Sequence, residues 1–363
     1  MEELEAKKKK RAANVFRVIV LILLAYVIAS FLLQGQSEEV FRQIKDIGWM
    51  CAFGLIAVQA LFIICDSETI YLFARCYKKG YKFMQSIEVY LHGLFYRGVT
   101  FGSGTKFAQM YYMSKQDIPA GTSSAMLSLQ YMFHKLAIIV IAVGLSLIVS
   151  PFEVFHLGNS FSELFGGINV EIIIKLVFIA GVVINLVTVL VSLLICTWKK
   201  FHRCLLAIIG FLLNIIKLKD RFYPMIDKYF TELEEECRYF RRHYKVFIWE
   251  LILSCIKLLI GYTLPYIIYI GLTGDVPDSS LLQIICLTSL TQFLVGIIPV
   301  PLGMGSTEAI FLLLFTSTFG ETMVTSAMIV YRVITFYLPF VASIFYVGVL
   351  NLRIKILEHN NAY

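Results

Sequence analysis

Leu281-Leu282-Gln283-Ile284-Ile285-Cys286-Leu287-Thr288-Ser289-Leu290-Thr291-Gln292-Phe293-Leu294-Val295-Gly296-Ile297-Ile298-Pro299-Val300-Pro301-Leu302-Gly303-Met304-Gly305-Ser306 carries no charged side chain, yet prolines and glycines interrupt its far end. A helix needs about 20 apolar residues to cross a bilayer, so this run has the length but not the continuity. A second charge-free run, Leu176 to Trp198, is uninterrupted. The 363-residue chain is 58% hydrophobic and only 16% charged, with a mean hydropathy of +0.77. A water-soluble domain cannot hide that much apolar surface. Continuous runs also argue against a transmembrane β-barrel, whose strands alternate over about ten residues. The fold class is an all-α polytopic membrane protein with about 6–8 transmembrane helices.

The break after Leu281–Ile298 has a distant echo. Gly102-Ser103-Gly104-Thr105-Lys106 is followed by an apolar run carrying Ser124-Ala125-Met126-Leu127. Gly303-Met304-Gly305-Ser306-Thr307-Glu308 is followed by one carrying Ser326-Ala327-Met328-Ile329. Gly102 precedes Ala125 by 23 residues, and Gly303 precedes Ala327 by 24. A charged residue stands just past each break, Lys106 in the first and Glu308 in the second. Broken apolar segments repeated in two halves point to a substrate site at mid-depth.

Charge placement sets the expected topology. Lys7 to Arg11 and Arg17 precede a first span, Val18 to Leu33, read as uncleaved with a cytoplasmic N-terminus. Span two, Ile47 to Cys65, returns to the cytoplasm, where Arg75, Lys78, Lys79 and Lys82 follow and Asp66 and Glu68 mark its end. Phe83–Val99 and Phe107–Met113 suit a re-entrant hairpin within 83–119, open to the cytoplasm. Span three, Ser123 to Val149, leads to an exterior loop, Ser150 to Asn169, and span four, Val170 to Thr197, returns inside. Segment 199–245 is interfacial and cytoplasmic, with Leu205–Ile216 as an interfacial helix or half of a span. Span five, Val246 to Ile270, is kinked at Pro265. A second re-entrant hairpin, 281–319, opens to the exterior, and a final span, Thr322 to Leu350, ends inside at Arg353 and Lys355. The chain is then one integral membrane domain, 1–363, with halves 1–149 and 246–350 in an inverted repeat.

The net charge of +7 is explained by the positive-inside bias and by attraction to anionic headgroups, so no nucleic-acid binding is expected. The eight cysteines lack paired C-x-x-C spacing and mostly fall in or beside apolar runs, as small core residues do. Gly102-x-Gly104 and Gly303-x-Gly305 follow no strand of a βαβ unit and are not nucleotide fingerprints. No metal, cofactor or covalent-hydrolysis motif is present, and no ATPase motif either.

Three stretches carry a family likeness: Phe101-Gly102-Ser103-Gly104-Thr105-Lys106-Phe107-Ala108-Gln109-Met110-Tyr111-Tyr112, Pro301-Leu302-Gly303-Met304-Gly305-Ser306-Thr307-Glu308 and Tyr331-Arg332-Val333-Ile334-Thr335-Phe336-Tyr337-Leu338-Pro339. In that order they resemble the bacterial transmembrane domains found at the N-terminus of lysylphosphatidylglycerol synthase, the flippase-like family. The likeness runs from the first span to the last. It implies a bacterial plasma-membrane protein that moves aminoacylated phosphatidylglycerol between leaflets, with a homodimer as a weak expectation. Longer members add a cytoplasmic acyltransferase-like domain that makes the lipid from aminoacyl-tRNA. This chain stops at Tyr363, directly after the last span, and nothing in it matches that domain. The family usually has Pro at the place of Phe101, paired glycine at Gly104-Thr105 and Gly-Gly at Leu302-Gly303, which leaves the lipid open.

The residues themselves suggest how a headgroup would be handled. Ionisable groups at mid-depth are costly unless paired or solvated. Arg332, preceded by Tyr331, can hold two phosphate oxygens in a bidentate fork, or pair with Glu308. Glu308 can meet a cationic aminoacyl headgroup, or simply cap a half-helix. Arg97 and Lys106 can attract an anionic lipid, or snorkel to the cytoplasmic interface. Gln109, Tyr111 and Tyr112 are candidate cavity residues, the tyrosines equally interfacial anchors. Gly102, Gly104, Gly303 and Gly305, with Pro301, shape the breaks, and glycine N–H groups can bind phosphate. His134 and Lys135 suit packing or a local salt link; Lys257 stands alone in mid-span. The expected function is phospholipid translocation. The alternatives are a membrane-embedded lipid-modifying enzyme of the phosphatidylglycerol lysyltransferase kind, or a membrane partner of a separate cytoplasmic transferase docked at 220–245.

Overall fold

The computed structural model describes residues 37–149, 170–215, 223–228, 231, 234–235, 244–296 and 300–360. The expected first span, the exterior loop, Pro299 and most of the charged segment after Ile215 lie outside these residues. Among the described residues there are helices and turns but no strand. Helices α1 (Ser37–Lys45) and α2 (Trp49–Tyr77) precede a hairpin of α3 (Phe83–Val99) and α4 (Thr105–Lys115), then α5 (Ala120–Val149). Next come α6 (Val170–Thr197), α7 (Lys199–Ile215), α8 (Tyr244–Tyr262) and α9 (Leu264–Thr273). A second hairpin, α10 (Leu281–Val295) and α11 (Ser306–Phe319), is joined through a tight turn, Pro301–Gly303. Helix α12 (Val324–Arg332), a wide π turn (Val333–Tyr337) and α13 (Leu338–Asn360) complete the order.

Four stretches are long and apolar enough to cross a membrane: Trp49–Tyr77, Ala120–Val149, Lys245–Thr273 and Val324–Val349. The hairpin arms are not. At 1.5 Å per residue α3, α4, α10 and α11 measure about 25, 17, 22 and 21 Å, against a hydrocarbon core of about 30 Å. Local chemistry sets the start of α10. Ser280 and Gln283 form a reciprocal capping box at the start of α10, with N–O distances of 2.7 and 3.3 Å. Inside α10, Thr288, Ser289 and Thr291 return their hydroxyls to carbonyls of their own helix, so small polar side chains can be buried there. The break expected at Pro265 is present: α8 ends at Tyr262, and the proline stands in the first turn of α9.

The two hairpins open at opposite ends of α2. Beyond its C-terminus, Lys78 Nζ lies 2.9 Å from Asp117 and 3.0 Å from the Gln116 carbonyl, which closes the base of the α3–α4 hairpin. Beside its N-terminus, a Cβ on Gly271 would stand 3.3 Å from Cys51, and Ser326 Oγ at the start of α12 donates to Gln43 of α1. That is the end where α11 turns into α12. The tips then meet between the two ends: a Cβ on Gly102 would lie 3.7 Å from Leu302 Cδ2. Phe101, Leu302, Met304, Phe336 and Tyr337 form a small apolar cluster there.

The backbone repeats at these tips. Phe101 and Gly102 have φ of 54° and 94°, and Leu302 and Gly303 have 58° and 65°. A non-glycine residue in the left-handed region costs about 1 kcal/mol, so each tip stores strain that its packing must hold. The sequence echo is therefore a structural one.

One expected boundary is corrected. The sequence ends span two at Cys65, with Asp66 and Glu68 marking its cytoplasmic end, but α2 runs through both acids to Tyr77. The helix continues because Asp66 finds a buried lysine, Lys257, on α8, while Ser67 and Thr69 bond carbonyls of α2 itself. Outward-facing positions are apolar, among them Trp49 (80% exposed) and Phe345 (70%), as a lipid-facing surface requires.

Helices α3 and α13 approach so closely at Gly98 that a Cβ there would fall 2.1 Å from the Phe340 ring. Gly98→Val is expected to destabilise the protein by about 1–3 kcal/mol, since overpacking forces the ring from its place. Thermal unfolding in detergent should show a lowered midpoint. Gly48→Ala, with nothing within 4 Å of the added carbon, should leave it unchanged.

Candidate functional site

A cavity of about 190 Å³ lies between the first hairpin and helices α2, α5 and α8. Helix α2 contributes Asp66, α3 contributes Tyr90 and Arg97, and α4 contributes Lys106 and Gln109. Gln130 and His134 come from α5 and Lys257 from α8. Each arrives there through helical spacing: Tyr90, Leu94 and Arg97 follow one another at four and three residues on α3, as do Lys106 and Gln109 at three on α4.

Two kinds of cation line this space. The Lys257 ammonium is 2% exposed and is paired with Asp66, itself 22% exposed. Lys106 reaches Gln130 Oε1 at 3.3 Å; Gln130 Nε2 donates to Thr69 Oγ1 at 2.5 Å, and that hydroxyl donates to the Asp66 carbonyl at 2.8 Å. Arg97 is accessible and makes no side-chain hydrogen bond or ion pair with a described residue. Once Asp66 is matched by Lys257, the positive charges of Arg97 and Lys106 are left over. Gln109 is buried, with Oε1 lacking a partner, and its amide occupies space that a Cβ on Gly93 would take. An accessible, net-cationic hollow with unspent hydrogen-bonding capacity is suited to an anion.

The second hairpin carries a different arrangement. Arg332 Nε and Nη2 donate to the two oxygens of Glu308 at 2.6 and 3.0 Å, and Nη2 also donates to the Gly303 carbonyl at 2.7 Å. Glu308 Oε2 accepts the Gly305 N–H at 2.7 Å, so the carboxylate caps α11 while it holds the guanidinium. Both side chains are buried. Arg332 thereby ties α12 to the strained tip of the second hairpin. Tyr331 accepts from Gln292 Nε2 at 3.1 Å, which links α12 to α10. The π turn begins immediately after Arg332, a type of irregularity frequent at functional sites.

The candidates singled out in sequence thus separate into two places. Arg97, Lys106 and Gln109 share the cavity rather than lying apart at an interface. Gly303, Gly305, Glu308 and Arg332 form the closed ion-pair cluster, with Tyr331 beside it. Gly102 and Gly104, with the Pro301–Gly303 turn, build the touching tips. Tyr111 and Tyr112 do not line the cavity; Lys115 lies over both rings, at 4.7 and 5.4 Å. Lys257 has its acid in Asp66, which the sequence reads as the cytoplasmic end of span two. His134 makes no salt link with a described residue, lines the cavity, and leaves Nδ1 unpartnered.

Removing one member of the Arg332–Glu308 pair strands a buried charge. Arg332→Met or Glu308→Leu alone is expected to cost about 3–5 kcal/mol, whereas the double variant should recover much of that loss. A double-mutant cycle on thermal unfolding in detergent reads the coupling; additive losses would mean the pair is not formed.

Comparison with protein families matches residues 14–343 to the family described as lysylphosphatidylglycerol synthase TM region. Comparison with curated proteins and with solved structures gave no match. The family match spans nearly all the described helices, including both hairpins, the cavity and the buried ion pair. The chain is a multi-pass membrane protein and belongs to the lysylphosphatidylglycerol synthase transmembrane family.

Proposed function

We propose that this protein moves a phospholipid with an anionic headgroup, of the phosphatidylglycerol type or its aminoacylated derivative, between membrane leaflets. The observation that carries the reading is the unmatched, accessible pair Arg97 and Lys106 in a cavity walled by helices of the membrane domain. A phospholipid crosses slowly because its phosphate must leave water for hydrocarbon. Cations fixed in a low-dielectric hollow lower that barrier, since they replace hydration with charge-assisted hydrogen bonds. The cavity has room for a headgroup but not for acyl chains. Beside it, Phe107 and Tyr131 face outward, so the chains can remain in lipid while the phosphate is held.

The second cluster fits the same task at a later stage. Arg332 is now saturated by Glu308 and Gly303, so a phosphate arriving there must take the guanidinium from the carboxylate. A Glu308 released in that exchange would face a cationic aminoacyl group, if the headgroup carries one. Exchange of one charge-assisted pair for another leaves little net cost and gives a route for release.

The test is lipid movement by protein in vesicles. Wild-type protein is expected to speed exchange of fluorescent phosphatidylglycerol across leaflets, with the recovered lipid chemically unchanged. Arg97→Gln and Lys106→Gln, both at accessible positions, should each slow it roughly tenfold, in line with loss of a hydrogen bond to a charged group. Unaltered rates in both variants would remove the cavity from the mechanism, and a modified lipid in place of a moved one would favour a synthase.

A further inference from the structure

Helix α8 holds a third ionisable group that neither the cavity nor the ion-pair cluster uses. Glu250, Ser254 and Lys257 stand at i, i+4 and i+7, on one face of the helix. Glu250 and Ser254 have no exposed surface. One Glu250 oxygen accepts from Ser254 Oγ at 3.4 Å, a weak contact, and Oε2 has no hydrogen-bond partner. Lys257 is the nearest strong cation but is engaged by Asp66. A carboxylate this dry and this poorly bonded is expensive to keep for structure alone. Chain architecture would be served as well by glutamine or leucine.

The charged and titratable groups within electrostatic range of Glu250 are Lys257 on its own helix, Asp66 on α2 and Lys106 on α4. From α5, His134 faces the same Asp66 and Lys257. Helices α9 and α10, which also pack on α8, bring no charged side chain. Lys257 and Lys106 line the cavity and also act electrostatically on Glu250, so an anion held in the cavity shares them with Glu250.

We propose that Glu250 is a proton-binding site, and that a proton and an anionic headgroup are carried together. The proposal rests on the lipid-translocation reading. When the cavity is empty, its surplus cations favour ionised Glu250. A phosphate beside Arg97 and Lys106 satisfies those cations, and Glu250 then takes one proton on a carboxylate oxygen. No other bond changes. By reciprocity, protonation tightens lipid binding by the same factor that lipid tightens proton binding. Lipid movement is then biased by a pH difference across the membrane, which supplies a driving force without a nucleotide site.

Two measurements on the full chain test this. In weakly buffered detergent with a pH indicator, dihexanoyl-phosphatidylglycerol should cause wild-type protein to take up close to one proton per lipid bound. Glu250→Gln should bind the lipid without uptake. In proteoliposomes, an imposed pH difference should change wild-type movement of fluorescent phosphatidylglycerol by up to about tenfold per pH unit, and Glu250→Gln should move lipid without that bias. Wild-type binding with no proton uptake between about pH 5 and 9 would overturn the proposal, as would uptake that survives in Glu250→Gln. If Glu250→Gln does not elute as a single species, Glu250→Asp should shift the uptake midpoint; an unshifted midpoint overturns it too. Absence of lipid movement under any gradient would refute translocation instead, while the uptake experiment would still decide the proton site.

Discussion

Hydrocarbon provides no partners for a broken helix. Every N–H and C=O released where a helix stops at mid-depth must find one inside the protein. Here two such breaks are placed against each other, Gly102 on Leu302, and the strained residues of each tip are held by what surrounds them. The Gly303 carbonyl is taken by Arg332 and the Gly305 N–H by Glu308, so charge neutralisation and backbone satisfaction are the same act in the second half. In the first half the tip is held locally: Gly104 N–H goes to Thr100 Oγ1 at 2.6 Å, and Gly102 N–H to the Arg97 carbonyl at 2.8 Å. That leaves the Arg97 guanidinium unspent.

This difference divides the labour between halves that share a backbone plan. The second half commits its arginine to its own glutamate and is closed. The first half has its Asp66 matched by Lys257 of α8 and keeps Arg97 and Lys106 facing an open space. Two cationic clusters, one open and one closed, thus flank one repeated backbone motif. Under the proposed function, a headgroup is attracted at the open one and exchanged at the closed one.

Most of the architecture could be read from the chain, because hydrophobic runs and their glycine interruptions report directly on membrane depth. The end of Val170–Thr197 is marked by the lysines and arginine that follow it, the first hairpin by short polar arms, and the second by the prolines and glycines that break its run. Asp66 was misplaced for a physical reason: hydropathy treats an acid as a terminus, since the compensating Lys257 lies 191 residues away and only folding brings it near. Glu250 lies inside the expected fifth span, near its start, and the sequence does not show that it is buried. The site residues near the breaks were legible as a set, but their separation into an open cavity and a closed pair depends on which partner each cation meets. Nothing in a linear sequence states that.

The central claim is that the two hairpins insert from opposite faces and meet inside the membrane. The most direct measurement is labelling by a membrane-impermeant thiol reagent in oriented vesicles, on protein whose native cysteines have been replaced. Asp117→Cys marks the base of the first hairpin and Glu321→Cys that of the second, and both positions are exposed. The account requires Asp117→Cys to react from one face only and Glu321→Cys only from the other. Reaction of both from the same face would contradict it.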